Sequence, residues 1–168
     1  MKTKEVIVVR YDPNWPQEFA KIRESLVILR HDIISIEHIG STSVEGLSAK
    51  PIIDLDVVID QVRFDAVKVL LESIGYRHED DLGINGREAF KYDNKPDLMK
   101  HHLYVCDQTS TELKRHLTFR DWLRTHPDDR EWYDRVKRDM ARRYPFDIDS
   151  YIAGKQPCIL AIHEKCGL

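Results

Sequence analysis

The chain is predicted to be an α/β (α+β) protein, a mixed β-sheet flanked by helices with a C-terminal helical segment. Three observations predict this. Up to about residue 108, short apolar runs bounded by turn residues alternate with apolar residues at helical spacing. After that the strand-like runs stop, and only helical periodicity and capping residues remain. With 168 residues, 42% hydrophobic and 33% charged, the composition is globular and the length suits one compact unit. The expected organisation is a mixed core over residues 1–108 and a helical segment over 109–168 packed on it.

The elements follow in order. Residues 5–10 (EVIVVR) read as a strand. Asp12-Pro13-Asn14 is a turn, and Asn14 with Gln17 forms a capping box for a helix whose buried stripe is Trp15, Phe19, Ile22, Leu26 and Leu29. Residues 34–39 and 52–59 are strands. Residues 64–74 are a helix with Val67, Leu70, Leu71 and Ile74 inward and Gly75 at its C′ position. A short strand at 76–79, a polar connection at 80–85, a strand at 87–92, a turn at 93–96 and a strand at 102–106 complete the core. In the tail, Thr109 and Glu112 cap a helix running to about residue 124. Pro127 opens a second helix carrying Val136, Met140 and Tyr144, which Pro145 ends. Residues 151–165 form a third, which Gly154 and Pro157 should bend or delay.

Composition limits the function classes. A net charge of −3 gives no argument for a nucleic-acid or membrane surface. Cys106, Cys158 and Cys166 are odd in number and lack a CxxC spacing, so they read as free thiols in a reducing compartment. The N-terminal MKTKEVIVV has too short an apolar stretch for a signal peptide, and no 18-residue apolar run exists. A cytoplasmic protein without a membrane partner is expected.

The chemistry is concentrated in residues 38–59. Gly40-Ser41 is followed, after twelve intervening residues, by Asp54-Leu55-Asp56 inside an apolar run. Residues i and i+2 of a strand share a face, so Asp54 and Asp56 stand side by side while Ile53, Leu55, Val57 and Ile59 face a core. Two adjacent carboxylates on an apolar strand repel each other and lose hydration. A divalent cation, Mg²⁺ or Mn²⁺, removes both penalties and takes substrate phosphates as further ligands. The Gly-Ser turn can present backbone N–H groups to a phosphate. Between the two motifs lie Thr42, Ser43, Gly46, Ser48, Lys50 and Pro51, small or turn-forming apart from the one cation. The bland alternative for a DxD alone is the wet face of an edge strand; the Gly-Ser at this distance argues against it. Gly40, Ser41, Thr42, Ser43 and Lys50 are thus candidate phosphate ligands, and Asp54 and Asp56 candidate catalytic metal ligands.

Further candidates lie downstream. His101 and His102 fall on opposite faces of one strand, and His102 shares its face with Tyr104 and Cys106. If that strand lies beside the DxD strand, His102 is a candidate metal ligand or proton carrier. His116 and Arg120 share a helix face suited to a triphosphate, against the default of a solvated charged face. Lys137, Arg138, Arg142 and Arg143 form a basic patch balanced by Asp128, Asp129 and Glu131 at the start of the same helix, and need no ligand to explain them. Lys155 stands alone in the sequence; His38 is expected to order the loop after it.

The run from Glu37 to Val44 (EHIGSTSV), Gly46-Leu47, and Ala49 to Asp56 (AKPIIDLD) closely resembles the signature of the GrpB family. Tyr11-Asp12-Pro13 with Trp15, His102-Leu103-Tyr104-Val105, and His116-Leu117 with Phe119-Arg120-Asp121 extend the resemblance over nearly the whole chain. That family is similar to the nucleotidyltransferases. The resemblance implies a nucleotidyltransferase-like sheet, triphosphate at Gly40 and Ser41, and Mg²⁺ at Asp54 and Asp56. It also implies transfer of a nucleoside monophosphate from NTP to a small-molecule or protein acceptor. The superfamily usually carries a third carboxylate on a neighbouring strand. Here that strand offers His102, with Glu88 and Asp107 as the other candidates. Losing the third acid leaves open an alternative: a nucleotide- or anion-binding module without catalysis, with a regulatory or partner-binding role.

Overall fold

The computed structural model describes residues 5–168; the first four residues of the stretch read against a signal peptide lie outside it. Helix α1 (Trp15–Ser25) buries Trp15, Phe19 and Ile22, and a 3₁₀ turn at Val27–Leu29 carries the stripe on to Leu29. The Asn14–Gln17 capping box does not form. Asn14 makes no side-chain cap; Asp12 Oδ1 instead accepts the Asn14 N–H at 2.9 Å. Pro16, with no N–H, already removes one of the amides a cap would serve.

Five strands form one sheet: β1 (Ser35–Ile39), β2 (Ile53–Ile59), β3 (Arg77–His78), β4 (Glu88–Lys91) and β5 (His101–Asp107). Their order is β1-β2-β5-β4-β3. β2 pairs with β5 in parallel, and every other pairing is antiparallel. The crossover between these two parallel strands includes α2 (Phe64–Ser73), which Gly75 ends in the left-handed region at φ 97°. The stretch 5–10 is not a strand. It makes a single antiparallel bridge, Val9 to Ala49. The next pair of that ladder would need an N–H from residue 51, which is proline.

Three helices follow: α3 (Thr111–Thr125), α4 (Pro127–Arg143) and α5 (Ile148–Lys165). The cap of α3 is Ser110, whose Oγ accepts the Leu113 N–H at 3.3 Å; Thr109 turns its hydroxyl to Asp107 instead. α5 starts earlier than expected, with Asp147 capping at Ser150, and carries Pro157 in its interior. Burial of Tyr151, Cys158 and Ile162 along one face outweighs the hydrogen bond that Pro157 forfeits. Gly154 lets α5 approach α4, since a Cβ there would collide with the Met140 side chain.

Helices α1 and α2 cover one sheet face, where Ile53, Leu55, Val57, Ile59, Leu103 and Val105 join their stripes. The tail covers the other. Val44 and Leu47, from the segment before β2, pack with Leu123, Tyr133, Cys158 and Ile162 of the tail helices. Tail and core thus share an apolar seam beside β2, whose two faces are both covered. No described helix is long and apolar enough to cross a membrane.

Candidate active site

The parallel pairing of β2 with β5 sets Asp54 beside His102 and Asp56 beside Tyr104. His102 Nδ1 lies 2.9 Å from Asp54 Oδ1. Asp56 is fully buried, and His116 of α3 reaches it with Nδ1 2.6 Å from Oδ2. The other oxygen, Asp56 Oδ1, is buried with no hydrogen-bond partner. Burial pushes the Asp56 carboxyl above the usual carboxylate range, a rise that its hydrogen bond to His116 opposes. Asp54 and Asp56 are therefore two hard oxygen donors on one strand face, and one oxygen of Asp56 is unpaired. They fit a single divalent cation whose remaining ligands come from water and phosphate. Among the described residues, no group of three His, Cys, Asp or Glu side chains is arranged to hold a metal by itself.

Gly40 closes β1 with φ 71° and packs directly on the carboxylates. A Cβ at Gly40 would sit 2.6 Å from Asp54 Oδ2. Gly40→Ala is thus expected to combine left-handed strain with displacement of Asp54, costing about 1–3 kcal/mol. Chemical denaturation measures the loss. Ser43 locks the turn: its N–H and Oγ both donate to Gly40 O, at 3.1 and 2.5 Å.

A two-lobed cleft opens on either side of Asp54, between the sheet and the tail. Gly40 and Ser41 line both lobes. One lobe, of about 210 Å³, is basic. Lys50, Lys137 and Lys155 converge there with Thr42, His102 and Tyr151, and Asp54 is the one carboxylate among the described residues lining it. Lys137 is only 3% exposed, and its Nζ donates to Ser48 O at 2.7 Å. Burial pulls the Lys137 ammonium well below the usual lysine range. Burial, then the neighbouring Lys50, brings Lys155 down to about 8. The other lobe, of about 320 Å³, has an apolar wall of Val44, Phe119, Leu123, Tyr133 and Ile159. On α5, Tyr151, Lys155, Ile159 and His163 recur every four residues and line the cleft from its basic to its apolar end.

Several expectations change. Thr42 lines the basic lobe, but Ser43 lines neither lobe, because its polar groups close the turn. His116 is spent on Asp56 rather than aimed at phosphate. Arg120 borders the apolar lobe, yet its Nη1 donates to Glu37 Oε2 and His38 O, both at 3.0 Å, so it braces β1. Arg124 braces the turn through Ser43 O. His38 holds Thr42 Oγ1 at 2.9 Å and, buried beneath the arginines, has its pKa lowered to about 4. Neither substitute for a third carboxylate faces Asp54: Glu88 pairs with His78 at 2.9 Å, and Asp107 accepts the N–H groups of Gln61 and Thr109. Lys137 does not belong to a solvated basic patch, and Lys155 does have a context; sequence reasoning missed both. The one available signal was the four-residue stripe on α5.

Sheet order, turn and paired aspartates define a nucleotidyltransferase-like fold. The Cid1 poly(U) polymerase bound to MgGTP matches it with a TM-score of 0.53 at 13% identity, over 80% of this chain and 44% of that one. The GrpB protein family profile matches residues 5–165, and the chain belongs to that family. The GrpB crystal structure from Enterococcus faecalis superposes with a TM-score of 0.82 at 34% identity, over 95% of this chain and 96% of that one. UPF0157 protein YqkA of Bacillus subtilis is 35% identical over 167 residues, which are 96% of this chain. The chain spans 47% of the length of YqkA.

Proposed function

We propose that the cleft binds NTP with a divalent cation and transfers a nucleoside monophosphate to an acceptor hydroxyl of a small molecule or protein in the cytoplasm. The observation that carries this reading is the polarity of the cleft: basic at one end, apolar at the other, with Asp54 lining both lobes and Asp56 buried two residues along the same strand. A nucleotide has the same polarity. Its polyphosphate suits Lys50, Lys137, Lys155 and the Gly40–Ser41 turn; its base suits the apolar lobe. Asp54 and Asp56 would hold Mg²⁺ or Mn²⁺, which would supply charge neutralisation at the α-phosphate. In the transfer, the acceptor oxygen forms a bond to the α-phosphorus, and the bond from that phosphorus to the bridging oxygen breaks. Pyrophosphate leaves into the lysine lobe. His102 is half-exposed with Nδ1 on Asp54, so its Nε2 is free to take the acceptor proton.

Among the described residues no carboxylate pairs across the sheet with Asp54, whose neighbours are Ile39 and His102, and this favours a second reading, in which the cleft binds nucleotide or another polyanion without transfer. Pyrophosphate release separates the two. Incubation with each NTP, Mg²⁺ or Mn²⁺ and a panel of hydroxyl acceptors is expected to release pyrophosphate in wild type and not in His102→Ala. Tight NTP binding with no pyrophosphate from any acceptor would leave the binding-module reading.

A further inference from the structure

Arg87, just before β4, lines the apolar lobe, and the nucleotide reading above gives it nothing to do. The other charged groups around that lobe are engaged: Arg115 with Glu112 at 3.0 Å, His116 with Asp56, Arg120 with Glu37. Arg87 takes part in no ion pair among the described residues, and its Nε is buried with no hydrogen-bond partner. Its guanidinium lies over the Tyr104 ring, 4.2 Å from the centroid, on the sheet-side floor of the lobe. The Nε is closed off from the lobe, so the donors this stacked guanidinium offers a ligand are its terminal Nη groups, which make no hydrogen bond among the described residues.

Resting on the nucleotide reading, we propose that Arg87 reads the base, selecting bases with a carbonyl edge over bases with an amino edge. A guanidinium carries only donors. Guanine presents two adjacent acceptors, O6 and N7, and uracil presents O4; adenine and cytosine place an amino donor at the corresponding position. Facing Arg87, the amino group sets donor against donor in a partly dry lobe and leaves both unsatisfied. The carbonyl accepts from the terminal Nη groups of Arg87. GTP and UTP are thus the favoured ligands, and ATP and CTP are discriminated against by about tenfold or more.

Calorimetric titration of the four NTPs with Mg²⁺ into wild type and Arg87→Gln tests this. Glutamine keeps a planar, hydrogen-bonding side chain but offers an acceptor beside its donor and carries no charge. The expected result is tighter binding of GTP and UTP by wild type, with the four affinities converging in Arg87→Gln. Inorganic tripolyphosphate should bind both proteins equally, because it occupies only the lysine lobe, and this checks that the variant is folded. If Arg87→Gln does not fold, the wild-type ranking decides alone. Equal affinities for all four NTPs in wild type, or a preference that survives in Arg87→Gln, would overturn the role of Arg87 and leave the nucleotide reading intact. Binding of tripolyphosphate but of no NTP would overturn both.

Discussion

Asp54→Asn is expected to abolish Mg²⁺-dependent nucleotide binding while leaving the fold intact. The Asp54 carboxylate is partly exposed and hydrogen-bonded to His102, a bond that asparagine can keep. Neutralising it also relieves repulsion with Asp56, which is buried beside it with one unsatisfied oxygen. The ligand-free variant should therefore melt at or slightly above the wild-type temperature. Wild type at ~100 times Kd of Mg²⁺·NTP should gain about 2.7 kcal/mol, roughly 5–10 °C for a chain of this length. The variant should gain almost nothing. A full shift in Asp54→Asn would remove the aspartates from the ligand site. The same shift in both proteins without metal would point to the lysine lobe acting alone.

Lys155→Met is expected to weaken tripolyphosphate binding by about tenfold or more, since a charge-assisted hydrogen bond to phosphate is lost. Its pH dependence identifies the group. Burial lowers Lys155 from 10.5 to about 8, so between those values the unfolded chain holds a proton that the folded chain has released. Stability of the ligand-free protein then rises with pH through that window, and the contribution is complete above it. Tyr76, which is buried, and Tyr104, which is partly buried, work the other way at the alkaline end, because burial disfavours their ionisation. The measurement is therefore the difference between wild type and Lys155→Met, by denaturant titration from pH 7 to 10.5. Wild type should gain on the variant as pH rises. Its tripolyphosphate affinity should fall over the same range while that of the variant, already weak, changes less. Parallel curves for the two proteins would show that Lys155 faces water and not the ligand.

The fold and the centre of the site were legible for local reasons. Alternation along residues 52–59 puts Asp54 and Asp56 on one face whatever surrounds them, and Gly40 is needed where the chain turns against Asp54. The covering of β2 on both faces was not legible. A wet edge-strand face was the alternative that the Gly-Ser pair argued against, and only docking of α3 brings His116 onto a buried Asp56. The cap of α3 moved by one residue because Asp107 claims Thr109. The strand at 5–10 failed because Pro51 cannot extend its ladder.

What the sequence determined by itself is what depends on near neighbours: the elements, the adjacent aspartates, the Gly-Ser turn and the GrpB signature. The tertiary structure decided which charges are free. Arg120 read as a phosphate ligand until β1 takes up its donors. Lys137 read as part of a balanced basic patch and Lys155 as a lone lysine until the tail packs on the sheet and sets both in the lobe beside Asp54. The cost of burying a charge is set by every element around it, and those elements come from distant parts of the chain.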